Sequence, residues 1–375
     1  MHVGNNKNRF IVAFLFTQFL YSAALFTQLP TAQQIAGKMK LGWNLGNTLE
    51  AICCETAWGG AVTTQKLIDK VKKSGFNTVR IPCAWFCHAD TLNSVIDKDW
   101  MARVKQVVDY SINDSMYIIL NMHWDKGWLE NRINKKNQQA VNERLQKYWT
   151  QIAGEFKNYD EHLLFAGANE PDVKDSADMA VLLTYYQTFI NAVRATGGNN
   201  NSRTLIIQGP ATDVDKTNRW MNELPKDKIK NSVMLEVHYY TPYQFCLMEN
   251  STDWGKMFYY WGKNNHSKTD TAHNATWGEE STLDEKLELI KRKFVDKGIP
   301  VIIGEFGAYK RKLPDGADEK LHEESVTYFQ EYFVQSAISK GLIPFYWDIN
   351  RGLFNRKKTE VVDQQILNAL TKGVN

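Results

Sequence analysis

Five cysteines in 375 residues are too few to staple this chain, and an odd number cannot all pair within it. Cys53 and Cys54 are neighbours, Cys83 and Cys87 follow an apolar run, and Cys246 stands alone. No cysteine–histidine set with metal-ligand spacing results, so free, largely buried thiols are expected, with one non-local disulfide as the alternative. A basic stripe is also missing. The formal net charge is only +3, and the run Lys291-Arg292-Lys293 after Ile290 reads as the solvated end of a helix. That distribution excludes a nucleic-acid surface, which needs a broad basic face with stacking platforms. No Gly/Ser- or Pro-rich linker and no internal repeat interrupts the sequence. One compact domain over residues 29–375, with long loops on one face, is expected; a division near 245–285 is the alternative.

Long apolar runs are absent except at the start. Lys7 and Arg9 precede an almost charge-free segment, 10–26, with the small residues Ser22, Ala23 and Ala24 near its end. Thr17 and Gln18 break the run, which is short for a stable membrane span. Residues 1–28 therefore read as a secretory signal peptide, cleaved between Ala24 and Gln28, and the mature chain as secreted, extracellular or periplasmic. A retained N-terminal anchor is the alternative.

What the chain does have is alternation. β-prone apolar runs recur at 41–45, 76–81, 117–122, 163–168, 204–208, 232–238, 300–305 and 343–347. Amphipathic segments lie between many of them, at 63–74 (Leu67, Ile68, Val71), 100–112 (Val104, Val107, Val108), 181–193 and 323–338. Eight strands with helical crossovers predict an α/β fold, the (β/α)8 TIM barrel, over an open sheet. In that fold the C-terminal strand ends converge on one face. Arg80, His123, Asn169, Glu170, His238, Tyr240, Glu305 and Trp347 all fall at or just after such ends. Each alone has an ordinary reading as a cap, a loop hydrogen bond or a packed ring; the set carries the argument.

Glu170 and Glu305 each follow a strand and precede a loop signal, Pro171 and Gly307 respectively. Two carboxyls so presented suit glycosidic-bond hydrolysis: Glu170 as general acid and then base, Glu305 as nucleophile. Burial and the charge of Glu305 would favour a protonated Glu170, while Arg80 and Tyr240 would keep Glu305 ionised. Asn169 can hydrogen-bond a sugar 2-hydroxyl, and His123 and His238 can bind hydroxyls or orient the carboxyls. Asp125 is placed to support His123. Trp347 can form a platform under a pyranose ring, with Trp58 and Trp128 as outer subsites. Trp43, Trp85 and Trp124 also fall near this face, and two or three of these five tryptophans are expected to pack in the core or in loops. Trp254 and Trp261 are more distant candidates.

Taken in order, GWNLGNTLE at 42–50, ETAWG at 55–59, FNTVRIP at 76–82, ILNMHWD at 119–125, ANEP at 168–171, EVHYYTP at 236–242, IGEFG at 303–307 and YWD at 346–348 resemble glycoside hydrolase family 5. The nearest pattern is that of its subfamily 4 endo-β-1,4-glucanases, and the resemblance covers most of residues 30–370. It implies anomeric retention, a β-linked polysaccharide or oligosaccharide substrate and no organic cofactor; a monomer is expected, and the residues require no metal. It also implies that Asn44 belongs to the sugar-binding floor. Trp124 stands where the subfamily commonly has a second histidine, and the interval 245–281 would reshape one end of the cleft. Cellulose-like and mixed-linkage glucan are the expected substrates. The alternatives are a xyloglucan-preferring endoglucanase and, from a different class, a catalytically weak glycan-binding barrel.

Overall fold

The computed structural model describes residues 29–374 apart from Cys53 and Arg351, together with Met1, His2 and Gly4. The expected signal segment, apart from Met1, His2 and Gly4, lies outside the described residues, as does Cys53. Eight parallel strands close into a barrel in sequential order: β1 (Gly42–Leu45), β2 (Thr78–Ile81), β3 (Tyr117–Asn121), β4 (Leu163–Ala166), β5 (Leu205–Gln208), β6 (Val233–Tyr239), β7 (Val301–Phe306) and β8 (Leu342–Asp348). β1 closes the ring by pairing with β8, from Gly42 opposite Phe345 to Leu45 opposite Asp348.

Period-two alternation divides each strand between two environments. Tyr117, Ile119, Leu164, Ala166, Ile206, Met234, Ile302, Ile343 and Phe345 fill the barrel interior. The intervening residues, such as Val79, Ile118, Leu120, Leu235 and Ile303, pack outward against the surrounding helices. Gly42 is required here: a Cβ would lie 2.0 Å from the Phe345 ring. The short helix Ala32–Ala36, held by a Thr31–Gln34 capping box, adds Ala32 and Ile35 to this interior cluster. With one end of the barrel filled by hydrocarbon, polar interior residues gather at the other.

Three of the four expected helices begin earlier than the apolar periodicity suggests, while that at 63–74 is observed at Gln65–Lys73. Lys98–Asn113, Ser176–Ala195 and Glu319–Ser339 start at aspartate caps, Asp97, Asp175 and Asp318, each accepting first-turn backbone N–H groups. A first turn exposes polar residues, so hydrophobic spacing misses it. β4 ends earlier than expected, at Ala166, because Gln208 replaces the next ladder partner: its Oε1 accepts the Ala168 N–H at 2.9 Å. Asn169 and Glu170 therefore stand on a loop just beyond the strand.

The stretch 241–279, after β6, forms a lobe held by contacts of its own and by hydrogen bonds from Arg311, Asp318 and His322. Trp261 donates to the Gly278 carbonyl at 2.9 Å, Tyr259 N–H to the His273 carbonyl at 2.8 Å, and His266 meets Glu279 at 2.8 Å. Trp261 is buried against Phe329 of the helix Glu319–Ser339, which anchors the lobe to the outer wall.

Candidate active site

Arg80 projects from β2 into the barrel and is fully buried. Its Nη1 donates to Glu305 Oε1 at 2.9 Å and to Asn44 Oδ1 at 3.0 Å, and its Nη2 donates to Asn169 Oδ1 at 2.9 Å. Its Nε forms a 2.8 Å ion pair with Glu236 Oε1. One guanidinium thus fixes four side chains from β1, β6, β7 and the β4 loop.

Glu305 faces inward through a local irregularity. Val237 pairs with Ile303 but His238 pairs with Glu305, so Gly304 is an extra residue on β7. A bulge of this kind reverses the alternation beyond it and re-aims the next side chain. Gly304 also makes room for its neighbour, since a Cβ there would lie 2.0 Å from Glu236 Oε1. The Gly304 carbonyl is held by Asn44 Nδ2 at 2.9 Å, and the Tyr240 hydroxyl donates to Glu305 Oε2 at 3.1 Å.

Glu236, His238 and Tyr240 share one parity along β6. His238 Nδ1 lies 2.7 Å from Glu170 Oε1 and its Nε2 lies 3.2 Å from Glu236 Oε1. Both ring nitrogens face carboxylate oxygens, which requires a proton on each. Burial opposes that charge, but Glu305, Glu170 and Glu236 outweigh it and push His238 up to about 10. His123 behaves oppositely: burial and the charges of Arg80 and His238 hold it well below the usual range. Asn121 Nδ2 approaches His123 Nδ1 at 3.1 Å, and as a donor there it assigns the proton to Nε2. His123 also stacks near Trp347, with ring centroids 5.9 Å apart and planes 12° from parallel. A Cβ on Gly46 would lie 2.9 Å from the Trp347 ring, so glycine there lets that ring lie flat over β1.

The two carboxyls differ in exposure: 43% for the Glu170 side chain against 7% for Glu305. The sequence-based expectation that burial and Glu305 keep Glu170 protonated is reversed in the free protein. Burial does raise it, but the His238 hydrogen bond and charge, with Arg80, leave Glu170 below the ordinary carboxylate value. Glu305 is raised, by burial first and by the charges of Glu170 and Glu236, against the lowering pull of His238 and Arg80. Single oxygens of Glu170 and Glu305 lie within 4.8 Å of one another and of a His238 nitrogen. These three side chains could surround a cation, but the imidazolium already supplies positive charge at that place.

Four expectations need correction. Arg80 and Asn44 are wholly buried and bonded to protein groups, so they hold neighbouring side chains in place and present no open surface to a ligand. Trp128 is 2% exposed, stacked on Phe86 and edge-on to Tyr148; it packs the loop and offers no platform. Asp125 is buried and accepts backbone N–H groups from Trp85, Phe86 and Cys87, holding that loop instead of His123. Trp43 and Trp85 are buried as well, whereas Trp58 is 46% exposed and Trp124 42% exposed.

Sequence reasoning passed over Glu236, Gln208, Thr212 and Glu130. Glu236 was accessible from parity, two residues before His238 on the same strand. Gln208 donates to Glu236 Oε2 at 2.6 Å. Thr212 sits 3.4 Å from Glu170 Oε1, in a turn where Ala211 and Thr212 have φ of 51° and 47°. Glu130 accepts the Glu170 N–H at 2.6 Å. The last two lie in loops without periodicity, and no pattern marks them.

This arrangement of buried arginine, imidazolium and two closely spaced carboxyls at a barrel mouth can be set beside known proteins. The model of the Cellulase (glycosyl hydrolase family 5) family matches residues 44–352. Endoglucanase A of Paenibacillus barcinonensis is 34% identical over 92% of this chain and 90% of its own length. A xyloglucan-specific endo-β-1,4-glucanase of Bacteroides ovatus is also 34% identical, over 92% of this chain and 70% of its own. A solved xyloglucan-specific β-1,4-glucanase from a ruminal metagenomic library, in complex with XXLG, superposes with a TM-score of 0.85 at 42% identity, covering 92% of this chain and 96% of that one. The chain belongs to glycoside hydrolase family 5.

Proposed function

We propose that the protein is a retaining endo-β-1,4-glucanase working by double displacement, with Glu170 as acid/base and Glu305 as nucleophile. The observation that carries this reading is the approach of one Glu170 oxygen to one Glu305 oxygen within 4.8 Å, which supports the closer of two spacings. Retaining glycosidases hold theirs about 5–5.5 Å apart, whereas inverting ones leave ~6.5–9.5 Å for a water. Glu305 attacks the anomeric carbon as the glycosidic C–O bond breaks, and the leaving oxygen takes the Glu170 proton. Water then cleaves the glycosyl ester, giving its proton to Glu170 and its hydroxyl to the sugar. The first proton comes through His238, whose Nδ1 is in hydrogen-bond contact with Glu170. A sugar over the exposed face of Glu170 removes water from it and disfavours its charge, moving the shared proton toward the carboxyl.

Asn169 accepts from Arg80 through its oxygen, which leaves its NH2 to donate to a sugar 2-hydroxyl. Neutral His123 offers its Nε2–H, Trp347 the ring platform and Trp58 an outer contact. The endoglucanase names of the relatives support a β-glucan chain as substrate. Anomeric-proton NMR of the first products tests the mechanism: β products are expected, and α products would overturn it. A Glu305→Gln background is subtracted.

Xyloglucan preference is a second reading, supported by a recess of about 490 Å³ beside the catalytic face. Tyr240, Leu247, Tyr309, Trp347, Ile349 and Val362 line it, giving apolar room next to the sugar platform for a branch. Initial rates on carboxymethyl-cellulose, mixed-linkage glucan, xyloglucan and β-mannan distinguish the two. Fastest cleavage of the unbranched glucans to mixed oligosaccharides supports the first reading, and fastest cleavage of xyloglucan the second.

Among the described residues no helix is long and apolar enough to cross a membrane. The basic start, apolar middle and small residues of 1–28 support export with removal of that segment, leaving 29–375 as one monomeric catalytic unit. Mass spectrometry and size-exclusion chromatography of the exported chain test this.

A further inference from the structure

The loop after β3 makes a sharp reversal. Asp125, Lys126 and Gly127 all adopt positive φ, at 44°, 62° and 66°. The reversal returns the chain so that Glu130, 4% exposed, lies beneath the loop carrying the acid. Two hydrogen bonds then bracket Pro171. The Glu130 carboxyl accepts the Glu170 N–H at 2.6 Å, and the Glu130 backbone carbonyl accepts the Asp172 N–H at 3.1 Å. From the other side the Ala211 N–H donates to the Pro171 carbonyl at 2.7 Å. The main chain of Glu170 is thereby held on both flanks, although its side chain faces an open cleft.

We propose that Glu130 is a positioning residue for the acid: by gripping the Glu170 N–H it sets where that carboxyl leaves the loop, and so its aim at the leaving-group oxygen. Burial, together with the charges of Glu170 and Glu305, pushes the Glu130 carboxyl up to about 8. At neutral pH it grips the loop through a carbonyl-like oxygen and adds no charge to the cluster. A small error in aim is costly, since misplacement by about 1 Å can lower a rate ~10²-fold.

The inference rests on Glu170 being the acid, and leaving-group chemistry tests both separately. A glucan needs its leaving oxygen protonated, whereas the phenolate of dinitrophenyl β-cellobioside departs unaided. The readout is kcat/KM, which reports the first displacement. Glu170→Gln should lose far more activity on β-glucan than on the aryl glycoside; without that split, the proposed function fails. Glu130→Leu should lower kcat/KM about 10- to 100-fold on β-glucan, within the ~10²–10⁴ that general acid catalysis contributes. On the aryl glycoside its loss should stay within about 3-fold, well inside that acid contribution. Glu130→Gln, which keeps an acceptor oxygen, should restore most of the glucan activity. Equal losses on both substrates, or no loss on glucan, would overturn the inference while leaving the Glu170 result intact. If Glu130→Leu does not fold, Glu130→Ala, which admits a water, is read in the same way.

Discussion

Replacing Glu236 with glutamine changes one atom in a side chain that no solvent reaches, and it should be among the most damaging substitutions available. Glu236 Oε1 meets Arg80 Nε at 2.8 Å and His238 Nε2 at 3.2 Å, while Oε2 accepts from Gln208 Nε2 at 2.6 Å. An NH2 in either oxygen's place points a donor at a donor. Gln208 cannot flip to relieve this, because its own oxygen holds the Ala168 N–H at 2.9 Å. Removing one partner of a buried ion pair costs about 3–5 kcal/mol, since the remaining charge stays buried. With unfolding entropy of about 2.1 cal/mol/K per residue, a chain of 375 residues should lose roughly 4–6 °C in Tm. Losing this carboxylate also removes one hydrogen-bond acceptor that keeps His238 protonated, so the His238 pKa should fall from about 10. Calorimetry reads the first effect, and imidazole NMR through a pH titration reads the second. A Tm loss below about 1 °C would contradict the cost assigned to an unpaired buried charge. An unmoved His238 would contradict the electrostatic coupling.

Stability should peak near pH 5 and fall toward pH 10. Asp348, Glu50 and Glu130, raised by burial to about 6, 7 and 8, all bind protons more tightly folded than unfolded, as does His238, held by its carboxylates at about 10. Their contribution is present at low pH and lost as pH rises through those values. Glu236 and Asp227 are lowered by their Arg partners against the opposing effect of burial, so their contribution is lost as pH falls below the ordinary carboxylate range. A Tm that stays flat from about pH 5 to pH 10 in calorimetry would refute the assignment. Gly304→Ala, whose Cβ would sit 2.0 Å from Glu236 Oε1, should lower kcat by about 10-fold or more by moving the bulge that aims Glu305; steady-state kinetics with near-normal activity would count against it. The tryptophans should separate: Trp58→Ala should raise KM on long glucans with little change in Tm, while Trp128→Ala should cost about 3–5 kcal/mol in denaturant unfolding. A reversed pattern would exchange their roles.

The barrel and its inward-facing groups could be read from the sequence because both follow from periodicity. Buried parallel strands are apolar on both faces, so all eight runs stood out, and a polar residue at a strand end has few places to point. Asn44 and Arg80 sit at such ends and were rightly placed on this face. Their tasks were not legible, because spacing does not reveal that Arg80 is engaged by Asn44, Asn169, Glu236 and Glu305. Trp128 and Asp125 misled for a related reason. A tryptophan and an aspartate in a loop read as exposed, yet three successive positive-φ residues fold that loop back and bury them both. Glu130 escaped notice through the same reversal. Protonation was the least legible property. The states of Glu170 and Glu305 depend on a His238 charge that Glu305, Glu170 and Glu236 sustain together, a coupling that appears only when the strands are brought together.

The lobe after β6 has a consequence for how such an enzyme can change. Its own hydrogen bonds are joined by others from outside, Arg311 to the Met248 carbonyl, Asp318 N–H to the Tyr260 hydroxyl and His322 to the Tyr259 carbonyl, while Tyr240, which holds Glu305, precedes it. Changes between 241 and 279 that keep these anchors can therefore alter what borders the cleft and leave the proton inventory of the charged cluster as it is. Recognition can diverge at the margin while chemistry stays constant at the centre. Altered recognition and retained chemistry would then fall on different stretches of one chain, joined at a few anchoring contacts.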